Sequence, residues 1–455
     1  MPQLPTAAVI GAGSSGIAAV KALHERGIDV TCFETSDRVG GNWVFGNRNG
    51  MSAAYRSLHI NTSRGRMAYT DFPMPDSYPD FPRHDQIAAY FDAYVDHFGF
   101  RDRIRFETPV EHAHRRDDGT WELRTGDGAT HRFDALLVAN GHHWDKRMPE
   151  PAFPGTDDFE GTILHAHDYV DNEILKDKDV VVLGMGNSAM DIAVESSDVA
   201  KSTILAARRG AWIIPKYLFG RPLDTLANDP RMPFAVGARI MEKIVTLHVG
   251  KPETFGLLKP DHRFGSAHPT VSGRIHDRIQ HGKVQPKPNI ARLHADEVEF
   301  ADGTRVHADV VVFCTGYKIT FPFFDEHFIS APDNRIELFW RVFEPEIPNL
   351  AFIGLLQPLG AVMPLAEAQG RWVAELLRGE YRLPSPDAMR AHIRDDVQAM
   401  GKRYVSSKRH TIQVDFDDYL HRLAKERKAG AQRAAAAGFA PQVPARVASG
   451  EGVAA

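Results

Sequence analysis

Ala7-Ala-Val-Ile10, followed by Gly11-Ala12-Gly13-Ser14-Ser15-Gly16, is the stretch that decides the fold. Four apolar residues read as a short buried strand. Ile17, Val20 and Leu23 then recur at helical spacing until Gly27 supplies a stop. A second apolar run, Ile28–Phe33, ends on Glu34. Strand, glycine turn, helix, strand and terminal acid together form the GxGxxG dinucleotide fingerprint in the context it requires. The glycines allow a tight turn and close approach of the backbone to a pyrophosphate, which rests on the helix N-terminus. Glu34 is placed to accept hydrogen bonds from an adenosine ribose.

The same plan recurs further along. Asp179-Val-Val-Val-Leu183 precedes Gly184-Met-Gly186-Asn187-Ser188-Ala189, a GxGxxA turn opening a helix over Ala189–Glu195, and the next strand is Ser202–Ala206. Glu34 stands 23 positions after Gly11, and the same offset from Gly184 falls on Ala207, just before Arg208 and Arg209. Paired arginines thus replace the acid. A carboxylate suits a free ribose 2′-hydroxyl, whereas arginine suits a 2′-phosphate through charge-assisted bidentate bonds. The first site therefore reads as FAD and the second as NADPH. The competing reading of Arg208 and Arg209 is two surface residues at a strand end.

A further repeat supports duplication. Asp127-Gly128 precedes Asp134-Ala-Leu-Leu-Val-Ala-Asn-Gly141, and Asp302-Gly303 precedes Asp309-Val-Val-Val-Phe-Cys-Thr-Gly316, with seven positions from acid to acid in both. Each is a turn feeding a buried strand that ends in glycine. First to last glycine is 130 residues in one copy and 132 in the other. The expected fold is α/β, with two Rossmann-like dinucleotide-binding domains. The smaller NADPH domain (155–318) is inserted in a larger, discontinuous FAD domain (1–154 plus 319–455).

Composition agrees with a soluble globular protein: 43% hydrophobic, 25% charged, net charge −5 over 455 residues. That balance argues against a nucleic-acid or anionic-membrane partner held by charge alone. The two cysteines, Cys32 and Cys314, lie in apolar strand-like runs and form no CxxC pair, so a redox dithiol is absent and a reducing compartment is expected. No signal peptide or bilayer-length apolar run is read, which leads us to expect a cytoplasmic protein. No metal-ligand cluster or nucleophile–base triad is read either.

Less regular segments surround the two copies. Gly50–Arg83 is too long for a simple connection and is expected to line a site. Ala211–Asn289 (an insertion at about 211–289) interrupts the second copy with proline-rich turns and an amphipathic helix near Phe234–His248, to be packed or to lie on a membrane surface. Pro364–Arg378 reads as a helix preceded by Gly360. From about Lys425 the chain is rich in Ala, Gly and charge without periodicity and is expected to be a mobile tail (about 425–455).

Between the copies lies Phe159-Glu-Gly161-Thr-Ile-Leu-His165-Ala-His-Asp-Tyr169, the pattern FxGxxxHxxxY. With the flanking glycine turns, this chain resembles the flavin-containing monooxygenases, class B flavoprotein monooxygenases of the dimethylaniline N-oxide-forming type. The likeness extends through Val39-Gly-Gly41-Asn42-Trp43, Leu58-His-Ile-Asn61-Thr62, Asp71-Phe-Pro73, Gly184–Asp191, Arg208-Arg-Gly-Ala-Trp212, Cys314-Thr-Gly-Tyr317, Gly354–Gly360 and His410-Thr-Ile-Gln-Val414. Related Baeyer–Villiger enzymes usually close the linker motif with Trp where Tyr169 stands. Membrane-bound animal members carry a C-terminal apolar anchor, for which the Ala-rich tail is unsuited.

The resemblance implies a cycle in which NADPH reduces FAD, O₂ adds at flavin C4a, and the hydroperoxide gives its distal oxygen to a soft nucleophilic N or S atom of a small organic substrate. By motif position it adds Gly41, Asn42, Trp43, Asn61 and Thr62 to the FAD contacts and Asp191 to those of NADPH. Asn61 is the catalytic candidate, since a neutral amide donates and accepts without imposing charge. The competing reading is an Asx-turn residue stabilising its own loop. His165 is either a support for coupling between domains or a loop histidine. The N-terminus of the Pro364–Arg378 helix either faces the flavin pyrimidine or is simply capped. Rival activities are Baeyer–Villiger oxidation of ketones and NADPH-dependent flavin electron transfer to a protein partner. A homodimer is the default expectation.

Overall fold

In the computed structural model, which describes residues 3–226, 234–404 and 411–445, strand Ala7–Ile10 lies between Val30–Phe33 and Ala135–Val138, parallel to both. Ile104–Arg105 extends this sheet on one side. Ile347–Phe352 and then antiparallel Phe343–Glu344 extend it on the other. The second sheet repeats the centre of the first. Asp179–Leu183 lies between Ser202–Ala207 and Val310–Phe313, flanked by Gln285–Pro288 and Thr162–His165, all parallel. The central strands are buried on both faces, which explains their unbroken apolar sequence.

The duplication extends to the accessory sheets. Asp127-Gly128 turns Trp121–Thr125 into Thr130–Phe133, beside Val110–Arg115; Asp302-Gly303 turns Glu297–Phe300 into Arg305–His307, beside Ile290–Leu293. Each parallel sheet is completed from outside its own copy, by Thr162–His165 before the second and Ile347–Phe352 after it. The two crossing connections meet as a short antiparallel pair, Asp145–Lys146 with Tyr317–Lys318. The architecture is the α/β, two-dinucleotide-domain fold expected.

The first helix, Ser14–His24, runs until Gly27 leaves it with φ +71°. It is covered by Met363–Leu377, which starts at Met363 rather than Pro364. The two approach closely at Gly370, where a Cβ would come within 3.0 Å of Ala19 Cα. Buried Lys21 pairs with Asp71 across this layer, and Arg371 reaches the same carboxylate over 2.8 Å. The family-like Asp71 therefore anchors the irregular segment to the first helix.

Several expectations need adjustment. The second-copy helix spans Asn187–Val199, longer than read, because Asn187 and Ser188 already belong to it. The second strand of the first copy begins at Val30, not Ile28. The mobile tail expected from Lys425 is, as far as Ala436, the second half of a helix, Phe416–Ala436. Its buried stripe is Tyr419, Leu423, Gly430 and Ala434. Small residues carry little hydropathy signal, yet Gly430 is what admits the Tyr381 ring, and Arg427 pairs with Glu375, its Nε donating over 3.0 Å. Residues 446–455 and His410 lie outside the described residues.

The insertion forms its own small core of Ile214, Val245 and Phe264, with Trp212, Met241 and Val271 packed on it. Its helix, Phe234–Val249, leaves Val236, Ile240 and Leu247 exposed. Among the described residues, no helix is long and apolar enough to cross a membrane.

Candidate active site

The first glycine turn and the Gly40-Gly41 turn form one surface. Gly11 has φ +99°, and a Cβ there would sit 2.7 Å from the Ala139 carbonyl; a Cβ on Gly16 would lie 1.8 Å from the Gly11 carbonyl. The helix therefore begins flush against the strand end, with Ser14 and buried Ser15 in its first turn. Gly41 presses on Gly13, since its Cβ would come within 3.0 Å of Gly13 Cα, and Gly40 N–H donates to the Ala12 carbonyl over 3.0 Å. A cradle of bare backbone at a helix N-terminus is what a dinucleotide pyrophosphate requires.

Glu34 is buried beneath this cradle. One carboxylate oxygen accepts from Ala12 N–H at 2.6 Å and the other from Ser36 N–H at 2.7 Å. Burial raises its pKa while these N–H donors oppose the rise. Glu34 thus shapes the glycine turn, and the second lone pairs of its oxygens remain available for a ribose. Asn42 uses its side-chain oxygen on Ala53 N–H (2.7 Å), holding the start of the irregular segment; Trp43 packs on the core of the first unit.

The second glycine turn repeats this geometry. Gly184 has φ +146°, and a Cβ there would lie 2.8 Å from the Cys314 carbonyl and 3.3 Å from Ala189 Cβ. Gly186 caps the helix. Arg208 and Arg209 follow strand Ser202–Ala207 and are exposed; Arg209 lies 3.6 Å from Asp261. Asn187 spends its side-chain oxygen on Val271 N–H (2.8 Å), and Thr270 donates to the Met185 carbonyl. The insertion therefore grips this turn, a contact with no local sequence signature.

Asp191, expected by motif position among the NADPH contacts, also engages the irregular segment of the first unit. It sits more than one turn into the helix, and its carboxylate accepts from the Tyr55 hydroxyl at 2.5 Å. One turn on, Glu195 accepts from Tyr169 at 2.5 Å and from Ser57. The i, i+4 acids thus tie the helix to the Gly50–Arg83 segment and to the linker. Tyr55 is buried in the core of the second unit although its chain belongs to the first.

The linker motif residues make the following contacts. Gly161 has no room for a Cβ beside the Phe159 ring, 2.5 Å away. His165 ends strand Thr162–His165, accepts from His167 N–H at 3.1 Å and lies edge-on to Tyr317. Burial lowers its pKa to about 4, so it is neutral at pH 7. Tyr169 closes the motif through its bond to Glu195.

Asn61 is half-buried on the irregular segment, and among the described residues its side chain makes no hydrogen bond. The Asx-turn reading required it to accept from Ser63 N–H, but that group donates to Asp224 instead. Thr62, next to it, is buried. Six residues before Asn61, Tyr55 is bonded to the second-unit helix; eight after it, the Tyr69 hydroxyl donates to the Ser14 carbonyl (2.6 Å) at the first glycine turn. Asn61 therefore lies on a segment anchored to the second-unit helix on one side and to the first glycine turn on the other. Gly354, whose Cβ would strike Ser15 Oγ, brings the approach to helix Met363–Leu377 against the same turn; Gly354 N–H donates to Gln369 there (2.8 Å).

At the opposite end of the second sheet, Asp179, His307 and Asp309 bring ligand-capable atoms within 4.8 Å of one another. Asp179 is engaged by Lys201 and Ser202, and Asp309 by Asp179 N–H, so they fasten strand ends.

Comparison with known proteins follows this geometry. The family model "Flavin-binding monooxygenase-like" matches residues 5–436. Flavin-containing monooxygenase 5 of Cavia porcellus is 38% identical over 438 residues, covering 92% of this chain and 82% of the relative. Dimethylaniline monooxygenase [N-oxide-forming] 2 of Rattus norvegicus is 32% identical over 439 residues, with coverage of 92% and 82%. Among solved structures, S-allyl-L-cysteine S-oxygenase from Allium sativum superposes with a TM-score of 0.70 at 25% identity, covering 95% of this chain and 92% of that one.

Proposed function

The chain belongs to the flavin-binding monooxygenase-like family, an NADPH-dependent flavoprotein oxidoreductase using FAD, and from that premise we propose that it oxygenates a soft nucleophilic nitrogen or sulfur atom of a small organic molecule. Relatives named for N-oxide formation and for S-oxygenation support this choice. The observation that carries it is the placement of Asn61, an amide without partners in the described chain, on a segment anchored to the second-unit helix and to the first glycine turn.

Bound FAD, once reduced by NADPH, activates O₂ and supplies one oxygen atom to the substrate. The chain provides the rest. The Gly11–Gly16 turn, with Gly41 behind it and Glu34 below, holds the FAD pyrophosphate and ribose. The Gly184–Ala189 turn, with Arg208 and Arg209 at the adjoining strand end, holds the second dinucleotide and selects the 2′-phosphate. Asn61 would offer one acceptor and two donors to the bound cofactors, orienting them without adding charge. Neutral His165 and the Tyr169–Glu195 bond keep the linker fixed beside the second sheet.

Asn61→Asp tests this reading. The variant should retain FAD and still consume NADPH, yet release hydrogen peroxide in place of oxygenated product, because a carboxylate alters both hydrogen bonding and local charge. Unchanged coupling would remove Asn61 from the reaction. Wild-type enzyme supplied with a tertiary amine, a thioether and a ketone should give N-oxide and sulfoxide; ester from the ketone alone would favour Baeyer–Villiger chemistry.

A further inference from the structure

We propose that the insertion at about 211–289 is the device that positions Asn61, with Lys216 and Asp224 holding the backbone on either side of it. Lys216 Nζ donates to the Ile60 carbonyl over 3.1 Å, and that carbonyl shares its peptide group with the nitrogen of Asn61. Two residues beyond Asn61, one Asp224 oxygen accepts from both Ser63 N–H (2.7 Å) and Ser63 Oγ (2.9 Å). A cation fixes one peptide and a carboxylate fixes the next but one, while the side chain between them is left to act outward. The partners are 156 and 161 residues apart in sequence, so neither contact is a local turn.

The surroundings of Lys216 mark this as a built contact. Its ammonium lies 4.9 Å from the centre of the Phe81 ring, and burial lowers its pKa against the attraction of Asp191. Among the described residues no carboxylate comes within ion-pairing distance of it. Placing a half-buried cation on a neutral carbonyl costs desolvation that one hydrogen bond and a ring contact offset only in part. Lys216 also stands two residues beyond the end of a short strand, Ile213–Ile214, which pairs in parallel with Thr270–Val271. That second strand is the one gripping Met185 and Asn187 of the second glycine turn. The insertion thus runs as a continuous brace from the second dinucleotide turn through two paired strands to the peptide carrying Asn61. The inference rests on the coupling role proposed for Asn61. Lys216 and Asp224 act through it as positioning residues.

The test uses the purified holoenzyme and three variants, Lys216→Met, Lys216→Arg and Asp224→Asn. Hydrogen exchange of the peptide covering residues 58–66 reads the brace directly, without turnover. Loss of a charged hydrogen bond should speed exchange there by about tenfold or more in Lys216→Met and Asp224→Asn, with the central strands of both sheets unchanged. Peroxide released per NADPH should rise in the same two variants, and Lys216→Arg should restore both readings. A peptide 58–66 that exchanges at the wild-type rate in both Lys216→Met and Asp224→Asn overturns the proposal, whatever happens to activity. Faster exchange without added peroxide also overturns it, provided Asn61→Asp itself uncouples the enzyme; if Asn61→Asp stays coupled, the failure belongs to the function assigned to Asn61. Should Lys216→Met lose FAD or fold poorly, Asp224→Asn carries the same two readings.

Discussion

The hydroxyl of Tyr55 and the carboxylate of Asp191, 136 residues apart in the chain, meet at 2.5 Å and fasten the irregular segment of the first unit to the dinucleotide helix of the second. Burial pushes Asp191 from 3.8 up to about 6, against Tyr55 and Lys216, which favour its charged form. A carboxyl raised in the folded state keeps its proton longer than in the unfolded chain. Its contribution is therefore favourable at low pH and is lost as pH rises from about 4 to about 6. Asp191→Asn keeps the acceptor for Tyr55 but removes the proton. Measured against wild type, its unfolding free energy should be level near pH 4 and higher above pH 6, by a difference on the order of 2–3 kcal/mol. A constant offset across that range would count against the assignment.

Gly11 and Gly13 should behave differently although both belong to one turn. Gly11→Ala forces a Cβ onto the Ala139 carbonyl at φ +99°, so the protein itself should lose stability. At Gly13 a Cβ meets nothing nearer than Gly41 Cα at 3.7 Å. Gly13→Leu should therefore yield folded but colourless protein, its melting temperature close to that of wild-type apoprotein. A yellow Gly13→Leu variant would show that the cradle does not hold FAD.

Arg208 and Arg209 are exposed, so their loss should leave folding intact. Replacing both with Ala should raise KM for NADPH far more than for NADH. The expected difference is about 10- to 150-fold, from roughly 1.5–3 kcal/mol for a charged hydrogen bond. Equal effects on both nucleotides would mean the pair does not read the 2′-phosphate.

Gly430→Ala tests the C-terminal helix. The added Cβ would fall 1.8 Å from the Tyr381 ring, whose hydroxyl bonds to Glu426 on the same helix. Overpacking of this kind costs about 1–3 kcal/mol. Thermal unfolding should shift downward, whereas a tail without tertiary contacts would tolerate the change.

The sequence by itself determined the two dinucleotide units, because their signals are local. A glycine that must lack a Cβ, an apolar run buried on both faces and a DG turn each declare themselves within a few residues, and their repetition at equal spacing declares the duplication. The exchange of Glu34 for Arg208 and Arg209 was likewise legible as chemistry at a fixed offset. What only the tertiary structure decided lies between the units. Asp191 reads as part of a glycine motif, yet packing turns it toward Tyr55. Lys216 and Asp224 carry no motif and acquire meaning only when folding brings them to Ile60 and Ser63. The helix Phe416–Ala436 was hidden because alanine and glycine contribute little hydropathy, while their small size, matched to Tyr381, is what lets the helix dock. Local pattern records what a residue prefers; which distant partner satisfies it is settled by the packing of the whole chain.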